Sequence, residues 1–237
     1  NRMQVVAYQR EDELRRLFYS RAYRVESDDV LDLPSTLSIN LMCDLGTKGR
    51  RLYQEVSDQF VADLEEGQIT ASNALSRLLR LQQITSGYGR LEDGTDVEID
   101  DSKAKVLEDT LTDIGAEPVV VFTRFVHDLD VVHKVAAKVG VPSYEVSGRR
   151  KDLSEWRGGV LAVQIQAGGL GLDLTRARYA IYYSLGFSLG DYSQSMARLH
   201  RPGQSHPVEY IHILASGTVD ETVMEALARR EAVVDHI

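Results

Sequence analysis

From residue 102 onward, short apolar runs alternate with segments of helical periodicity, and this alternation constrains the fold more than any other feature. Residues 119–122 form a continuous apolar run ahead of Thr123, which is typical of a strand buried on both faces. A helix is predicted over residues 129–139, and Gly140 closes it. Further strands are predicted at residues 144–146, 160–163, 180–183 and 208–214. Repeating β-α units predict an α/β fold with a mainly parallel sheet covered by helices on both faces.

The first hundred residues follow a different pattern, a strand and then two helices. Alternating apolar residues predict a strand over residues 37–43, and helical spacing follows over residues 47–66. Thr70 opens a second helix that ends near residues 86–87. The acidic stretch 91–101 is predicted to be a loop or linker. We therefore expect residues 1–101 to form a segment with a strand and a small helical subdomain, and residues 102–237 to form the α/β domain.

Two helix starts carry capping signals. Ser102 is predicted to cap a helix that runs through Leu107 and Leu111. Thr218, with Glu221 three residues later, predicts a capping box at the start of a C-terminal helix.

Composition narrows the class of protein. The chain has 237 residues, a 43% hydrophobic content and a formal net charge of −9, which argues against strong, indiscriminate affinity for nucleic acid. No apolar run approaches a membrane span, and the start lacks a signal-peptide pattern. The single cysteine, Cys43, excludes an internal disulfide and fits a reducing cytosol. Because the chain begins with Asn1, we expect it to be part of something longer.

The segment 194–204 carries the strongest functional signal. Arg198 and Arg201 are three residues apart and are followed at once by Pro202 and Gly203. Residues three apart share one helical face, and a Pro-Gly pair cannot continue a helix, so two guanidinium groups are predicted side by side at a helix C-terminus. That arrangement suits a phosphate presented by a ligand or a neighbouring domain. The alternative is a surface helix whose arginines pair with local carboxylates.

Two further segments are predicted to meet at the carboxyl edge of the sheet, where ligands bind in parallel α/β folds. Thr123 and Arg124 leave a buried strand. Residues 166–174 follow another strand and contain three glycines within four residues, so that backbone amides can approach a phosphate closely. A tight strand-to-helix turn is the alternative for this glycine-rich segment. We expect the arginine helix to converge on the same edge.

Read in order, residues 119–125, 160–174 and 194–204 resemble motifs IV, V and VI of Swi/Snf-type DNA translocases, a branch of helicase superfamily two. The tail 208–224 also matches the family's pattern after motif VI. This chain has Ile165-Gln166 where the family usually has Ser-Thr, and residues 185–191 replace the usual Trp-Asn-Pro segment. These departures and a short spacer between motifs IV and V suggest a compact bacterial or bacteriophage branch.

The resemblance implies a RecA-like second lobe and gives individual residues roles at an ATP site. Arg198 and Arg201 would act as arginine fingers toward the γ-phosphate. Gln194 would sense the nucleotide site of the other lobe, and Asp173 would tie motif V to motif VI or contact the ribose. Gly169 and Gly171 would also lie at the nucleotide.

The resemblance also implies contacts with the backbone of double-stranded DNA. The residues concerned are Thr123, Arg124, Arg149, Gln166, Ala167 and Gly168. Contacts to phosphate and sugar carry no sequence information, which suits a translocase that steps along any duplex.

The remaining parts of such a motor are expected elsewhere. The sequence contains no G-x-x-x-x-G-K-[ST] and no Asp-Glu-x-His block, so ATP and Mg²⁺ would be bound mainly by an N-terminal RecA-like lobe of the same parent chain. Residues 1–101 would be the inter-lobe segment. We expect this chain alone to be inactive, and the parent to work without a membrane in the cytoplasm of a bacterial or phage-infected cell.

The sequence is also compatible with two other classes of protein. A RecA-like lobe could serve only as a protein- or nucleic-acid-binding module, although the unbroken motif VI argues against it. A free-standing α/β enzyme such as a hydrolase lacks a G-x-S-x-G elbow and a cysteine-histidine pairing around Cys43. His200 and His206 flank a turn and offer no convincing metal spacing.

Overall fold

The computed structural model describes residues 10–22, 32–65, 70–91, 93–166 and 171–235. It divides into two compact units, residues 1–33 and residues 34–237. In the first unit the described element is helix α1 (Glu11–Tyr19). The second unit holds the other elements of the described residues.

A six-stranded parallel sheet forms the centre of the second unit, in the order β1-β8-β7-β4-β6-β5. Its strands are β1 (Thr36–Cys43), β4 (Val119–Thr123), β5 (Ser143–Val146), β6 (Val160–Gln164), β7 (Tyr179–Tyr182) and β8 (Val208–Ala215), and a separate hairpin joins β2 (Tyr88–Arg90) to β3 (Asp96–Glu98). The parallel sheet and each of its predicted strands are confirmed. β1, which precedes the predicted domain boundary, is an edge strand of this sheet. The boundary near residue 101 stays a prediction.

Helices cover both faces of the sheet, as predicted. They are α2 (Thr47–Glu65), α3 (Ala71–Thr85), α4 (Ser102–Ile114), α5 (Val126–Lys138), α6 (Leu189–Met196) and α7 (Val219–Asp235), with a short 3₁₀ turn at Asp152–Ser154. Side chains of β4 alternate between two cores, so that Val121 packs with α4 and α5 while Phe122 packs with α3, α6 and α7. Among the described residues, no helix combines the length and apolar character that a membrane span requires.

The helix starts differ in detail from the sequence expectations. Thr70 caps α3 as predicted, because its side chain accepts a hydrogen bond from the backbone N–H of Asn73. Ser102 is instead the first residue of α4, and its N–H donates to Asp100 Oδ1 at 2.8 Å. At α7 the Glu221 carboxylate accepts from Gly217 N at 2.9 Å, one residue before the expected partner.

The acidic stretch predicted as a loop contains β3, which pairs antiparallel with β2. The ion pair between Arg90 and Asp96, 2.7 Å from Nε to Oδ1, links the two strands. A three-residue strand is too short to show a period of two, which explains why the sequence pattern did not reveal it.

Candidate functional site

The end of β4 places Thr123 and Arg124 at the carboxyl edge of the sheet, beside the end of β6. Thr123 is fully buried and pairs with Gln164 in the ladder, and within the described part of the chain its hydroxyl has no hydrogen-bond partner. The N–H of Arg124 donates to Ser184 Oγ at 2.8 Å, and Ser184 in turn donates to the buried carboxylate of Asp128. This chain of hydrogen bonds fixes the predicted segment against the end of β7 and the first turn of α5.

The Arg124 side chain is half-buried and connects this edge to α3. Its guanidinium donates to Gln82 Oε1 and lies 5.4 Å from the ring centre of Phe125. Gln82 is buried and donates to Leu185 O at 2.8 Å, so one amide connects three segments. Burial lowers the pKa of Arg124. A Cβ at Gly186 would lie 3.3 Å from Arg124 Nη1, so a larger residue there would displace the guanidinium slightly.

The glycine-rich segment is only partly described. Ala167, Gly168 and Gly169 lie outside the described residues. Gln166 is exposed just after β6, and Gly171 has a φ of +66°, a left-handed conformation that favours glycine.

Asp173 lies next to the arginine segment. Its carboxylate accepts hydrogen bonds from Thr175 Oγ1 at 2.8 Å and Thr175 N at 3.1 Å. These bonds, together with the positive charge of Arg201, lower the pKa of Asp173. Asp173 is therefore an exposed carboxylate held in place beside one of the two predicted finger residues.

The predicted placement of the two arginines on a helix is wrong. Helix α6 ends at Met196, and Arg198 and Arg201 lie in the turn that follows it, both half-buried. The chain turns because the Leu199 side chain is fully buried in the core, and because Arg198 O accepts a hydrogen bond from Leu174 N at 3.1 Å. We call residues 197–204 the arginine turn. It packs against residues 174–177, which lead to the amino end of β7. Its attachment therefore does not involve Thr123 and Arg124, which lie at the carboxyl edge of the sheet.

Gln204 is the residue that sequence reasoning missed here. It is buried, and its Nε2 donates to the carbonyl oxygens of Thr175, Ala177 and Leu199, at 3.2, 2.9 and 3.4 Å. One side chain thus fastens the arginine turn to the segment after the glycines. Its position directly after Pro202-Gly203 was the available signal, but the partners of a polar side chain cannot be read from spacing.

The other predicted site residues lie further apart. Gln194 is exposed on α6. Arg149 follows β5 and binds two carboxylates, with Nη2 at 2.9 Å from Asp130 Oδ1 and 3.0 Å from Glu145 Oε2. These two acidic partners raise the pKa of Arg149.

The structure does not favour a hydrolase that would use Cys43 as its nucleophile. Its thiol is buried, and burial raises its pKa to about 11, so the nucleophilic thiolate is suppressed at neutral pH. Within the described ranges, no group of three or more His, Cys, Asp or Glu side chains could hold a metal ion.

Comparisons with known proteins agree with these motifs. Residues 102–203 match the helicase conserved C-terminal domain. Protein p41 of Acyrthosiphon pisum secondary endosymbiont phage 1 is 27% identical over 89% of this chain and 47% of its own length. An ATP-dependent helicase of Mycoplasma pneumoniae is 23% identical over 89% of this chain and 22% of its own length. The chain thus spans less than half of each of these relatives.

Solved structures show the same fold at low sequence identity. The C-terminal part of the Fun30 ATPase domain superimposes with a TM-score of 0.67 at 15% identity, covering 82% of this chain and 90% of that chain. The Sulfolobus solfataricus SWI2/SNF2 ATPase core in complex with dsDNA gives 0.62 at 20% identity, covering 94% and 50%. Residues 102–203 are therefore similar to the helicase conserved C-terminal domain, and the chain has an α/β RecA-like fold that it shares with these two ATPase structures.

Proposed function

We propose that this chain is the second motor lobe of an ATP-dependent DNA translocase and completes an ATP site whose P-loop lies on a first lobe of the same parent polypeptide. The observation that carries the proposal is the attachment of the arginine turn to the segment after the glycines, through Arg198 O and the Gln204 amide. Two arginines on a backbone that is held in place suit stabilisation of charge that develops on a transferred phosphoryl group.

At the nucleotide, each residue has a proposed part. Arg198 and Arg201 contact the γ-phosphate as arginine fingers. Asp173, whose pKa is lowered in part by the charge of Arg201, holds that side chain toward the cleft or contacts the ribose. Gln194 senses the site from the exposed face of α6, and the backbone at Gly169 and Gly171 approaches the nucleotide.

On the DNA side, we assign contacts with the duplex backbone to the carboxyl edge of the sheet. The residues are Thr123, Arg124, Gln166, Ala167, Gly168 and Arg149. Support comes from the adjacent ends of β4 and β6. The Sulfolobus solfataricus SWI2/SNF2 ATPase core was solved in complex with dsDNA, which is an observation on that protein. Arg149 must give up Asp130 or Glu145 to reach a phosphate, and the buried Thr123 hydroxyl must become exposed, so these two residues should contribute less to DNA affinity than the exposed Gln166.

The first lobe would supply the remaining parts of the ATP site. It would bind most of the ATP together with Mg²⁺, and this chain alone would not turn over ATP. Closure of the two lobes on ATP and their opening after hydrolysis would move this lobe along DNA. Residues 1–101 would join the lobes, and the parent would act in the cytoplasm of a bacterial or phage-infected cell.

The test is DNA-stimulated phosphate release by the parent polypeptide. Arg201→Ala should lower kcat by two or more orders of magnitude, because an arginine finger contributes about 10³- to 10⁵-fold. Arg229→Ala, which removes an exposed arginine of α7, is the matched control and should leave the rate unchanged. This chain alone serves as the blank. Equal rates for both variants would contradict the assignment and favour a non-enzymatic binding module.

A further inference from the structure

Arg124, at the carboxyl edge of the sheet, is a half-buried cation whose side chain is held by a neutral amide. Its Nη1 donates a hydrogen bond to Gln82 Oε1, and its guanidinium lies 5.4 Å from the ring centre of Phe125. Among the described residues, no carboxylate forms an ion pair with Arg124. A guanidinium has five N–H donors, so most of those of Arg124 remain for a further acceptor.

Other arginines of the same domain are neutralised by carboxylates. Arg149 binds two of them, and Arg178 donates two hydrogen bonds to Glu117, at 2.7 and 2.8 Å. Such an ion pair must break before the arginine can contact a phosphate. Arg124 differs, because the group that holds it carries no charge.

The titratable groups near Arg124 do not occupy its guanidinium. Burial lowers the pKa of Arg124, and the charge of the Asp128 carboxylate opposes that shift. That carboxylate accepts its hydrogen bonds from Ser184 Oγ and Phe125 N instead. Tyr88 also lies nearby, but burial raises the pKa of its hydroxyl, so it is neutral at neutral pH. The side chain of Arg124 therefore keeps its positive charge and a free set of donors.

Gln82 is 3% exposed, and its amide has the orientation that satisfies both of its neighbours. Its Nε2 donates to Leu185 O at 2.8 Å, and because a carbonyl oxygen can only accept, the amide oxygen is the atom that faces Arg124. Helix α3, which carries Gln82, is itself held, since Thr85 Oγ1 donates to Asp220 Oδ1 at 2.8 Å. The amide is therefore a fixed acceptor with the size of a glutamate side chain but without its charge.

We propose that Gln82 is a positioning residue for DNA binding, which holds the Arg124 guanidinium at the carboxyl edge without neutralising it, so that Arg124 pairs with a phosphate of duplex DNA. The proposal rests on the proposed function, in which Arg124 contacts the DNA backbone, and it adds a residue that itself touches no DNA. Charge-assisted hydrogen bonds from arginine to phosphate are roughly twice as strong as neutral ones. An acidic residue in place of Gln82 would compete with the phosphate for the same donors.

The experiment measures the affinity of the parent polypeptide, without nucleotide, for a random-sequence duplex of 20 base pairs over a range of salt concentrations. Gln82→Glu keeps the size of the side chain and places a carboxylate beside Arg124. Binding should weaken about tenfold at low salt, and the slope of log K against log[salt] should become shallower by about 1, because each lost phosphate contact contributes about 0.9. The effect should be the same for other sequences of equal length.

A second variant separates position from charge. Gln82→Met removes both hydrogen bonds of the amide and fills the space with an unbranched apolar chain, while Arg124 keeps its charge. It should weaken binding about two- to fivefold, the order of one net hydrogen bond, at an unchanged salt slope. This variant also tests the proposal if Gln82→Glu does not fold, which urea unfolding of each variant reveals.

Two controls make the result specific. Gln59→Glu introduces the same charge at an exposed position of α2, and should change affinity by less than about twofold, because exposed charges are screened by salt. In an Arg124→Gln background, Gln82→Glu should cause no further loss of affinity, since the two residues act through one contact. A purely structural role of Gln82 would instead give the same loss with and without Arg124.

Several results would overturn the proposal. They are an unchanged salt slope in folded Gln82→Glu, an unchanged affinity in Gln82→Met, an equal loss in Gln59→Glu, or no measurable duplex binding by the wild type. Failure here is distinguishable from failure of the motor assignment. Arg201→Ala tests that assignment through phosphate release, whereas the Gln82 variants are compared by binding equilibria without nucleotide.

Discussion

Asp128 shows how a single residue supports the candidate site without touching a ligand. It lies in the first turn of α5, fully buried, and accepts hydrogen bonds from Ser184 Oγ and from Phe125 N, the latter at 3.4 Å. Ser184 also receives the N–H of Arg124, so Asp128 stabilises the position of the β4 end. Burial raises the pKa of Asp128 to about 7, although the hydrogen bond from Ser184 and the charge of Lys103 oppose that shift.

The raised pKa predicts a pH-dependent stability. The folded chain binds this proton more tightly than the unfolded chain does, so the free energy of unfolding falls as pH rises from about 4 to about 7, and the loss is complete above pH 7. Asp128→Asn removes the titration. The difference in unfolding free energy between wild type and this variant should therefore shift by up to roughly 4 kcal/mol between pH 4 and pH 8, in favour of the variant at high pH.

Urea unfolding at several pH values measures that difference. Asp130→Asn provides the control, since it removes an exposed carboxylate from the same helix. A difference for Asp128→Asn that does not change with pH would mean that its carboxyl group has an ordinary pKa in the folded chain.

At the scale of elements, a buried ion pair joins three helices. Lys103 of α4 lies 2.8 Å from Asp220 Oδ2 of α7, with 2% of the lysine side chain exposed. Asp220 Oδ1 accepts from Thr85 Oγ1 of α3 at 2.8 Å, and Asp220 Oδ2 also accepts from Ala215 N. These contacts hold α3 against α4 and α7.

Breaking this pair should be costly. Lys103→Met leaves Asp220 with a charge that no cation balances, and should lower the free energy of unfolding by about 3–5 kcal/mol. Lys105→Met, on the same helix, removes a lysine whose ion pair with Asp101 is exposed, and should cost less than about 1 kcal/mol. Guanidinium chloride unfolding of the two variants gives the comparison. Equal costs would show that the buried pair does not couple the helices.

Elements were predictable from the sequence where burial alone determines them. The four apolar residues that begin β4 and the apolar faces of α4 and α5 gave periodic or continuous patterns. The end of α6 was mispredicted because it depends on contacts distant in sequence. The Leu199 side chain is buried in the core, and Arg198 O accepts a hydrogen bond from Leu174 N, 24 positions earlier in the chain.

The candidate site was predictable in its residue types and only partly in its arrangement. The charged side chains of the candidate site could be identified from the sequence motifs; they are Arg198, Arg201 and Asp173. In the structure, Asp173 and Arg201 are close enough for their charges to interact. Gln82 and Gln204 act through carbonyl groups on other segments. Neutral amides with distant partners leave no periodic signal, so the sequence could not identify their supporting role.

At the scale of the whole molecule, the chain is acidic and carries two arginines close together in the arginine turn. The net charge is −9, while the arginine turn contains Arg198 and Arg201. Such a distribution favours contacts with phosphate at chosen surfaces over indiscriminate binding to nucleic acid. We propose that the arginine turn serves ATP hydrolysis across a cleft between two lobes.

The most direct test compares two nucleotide complexes of the parent polypeptide bound to duplex DNA. One contains a non-hydrolysable ATP analogue, and the other contains ADP with aluminium fluoride, which mimics the transferred phosphoryl group. An arginine finger stabilises the transition state more than the ground state. Arg201→Ala should therefore weaken binding of the aluminium fluoride complex about 100-fold or more and change ATP-analogue affinity by less than about threefold. Equal effects on both complexes, or no effect on either, would contradict the account.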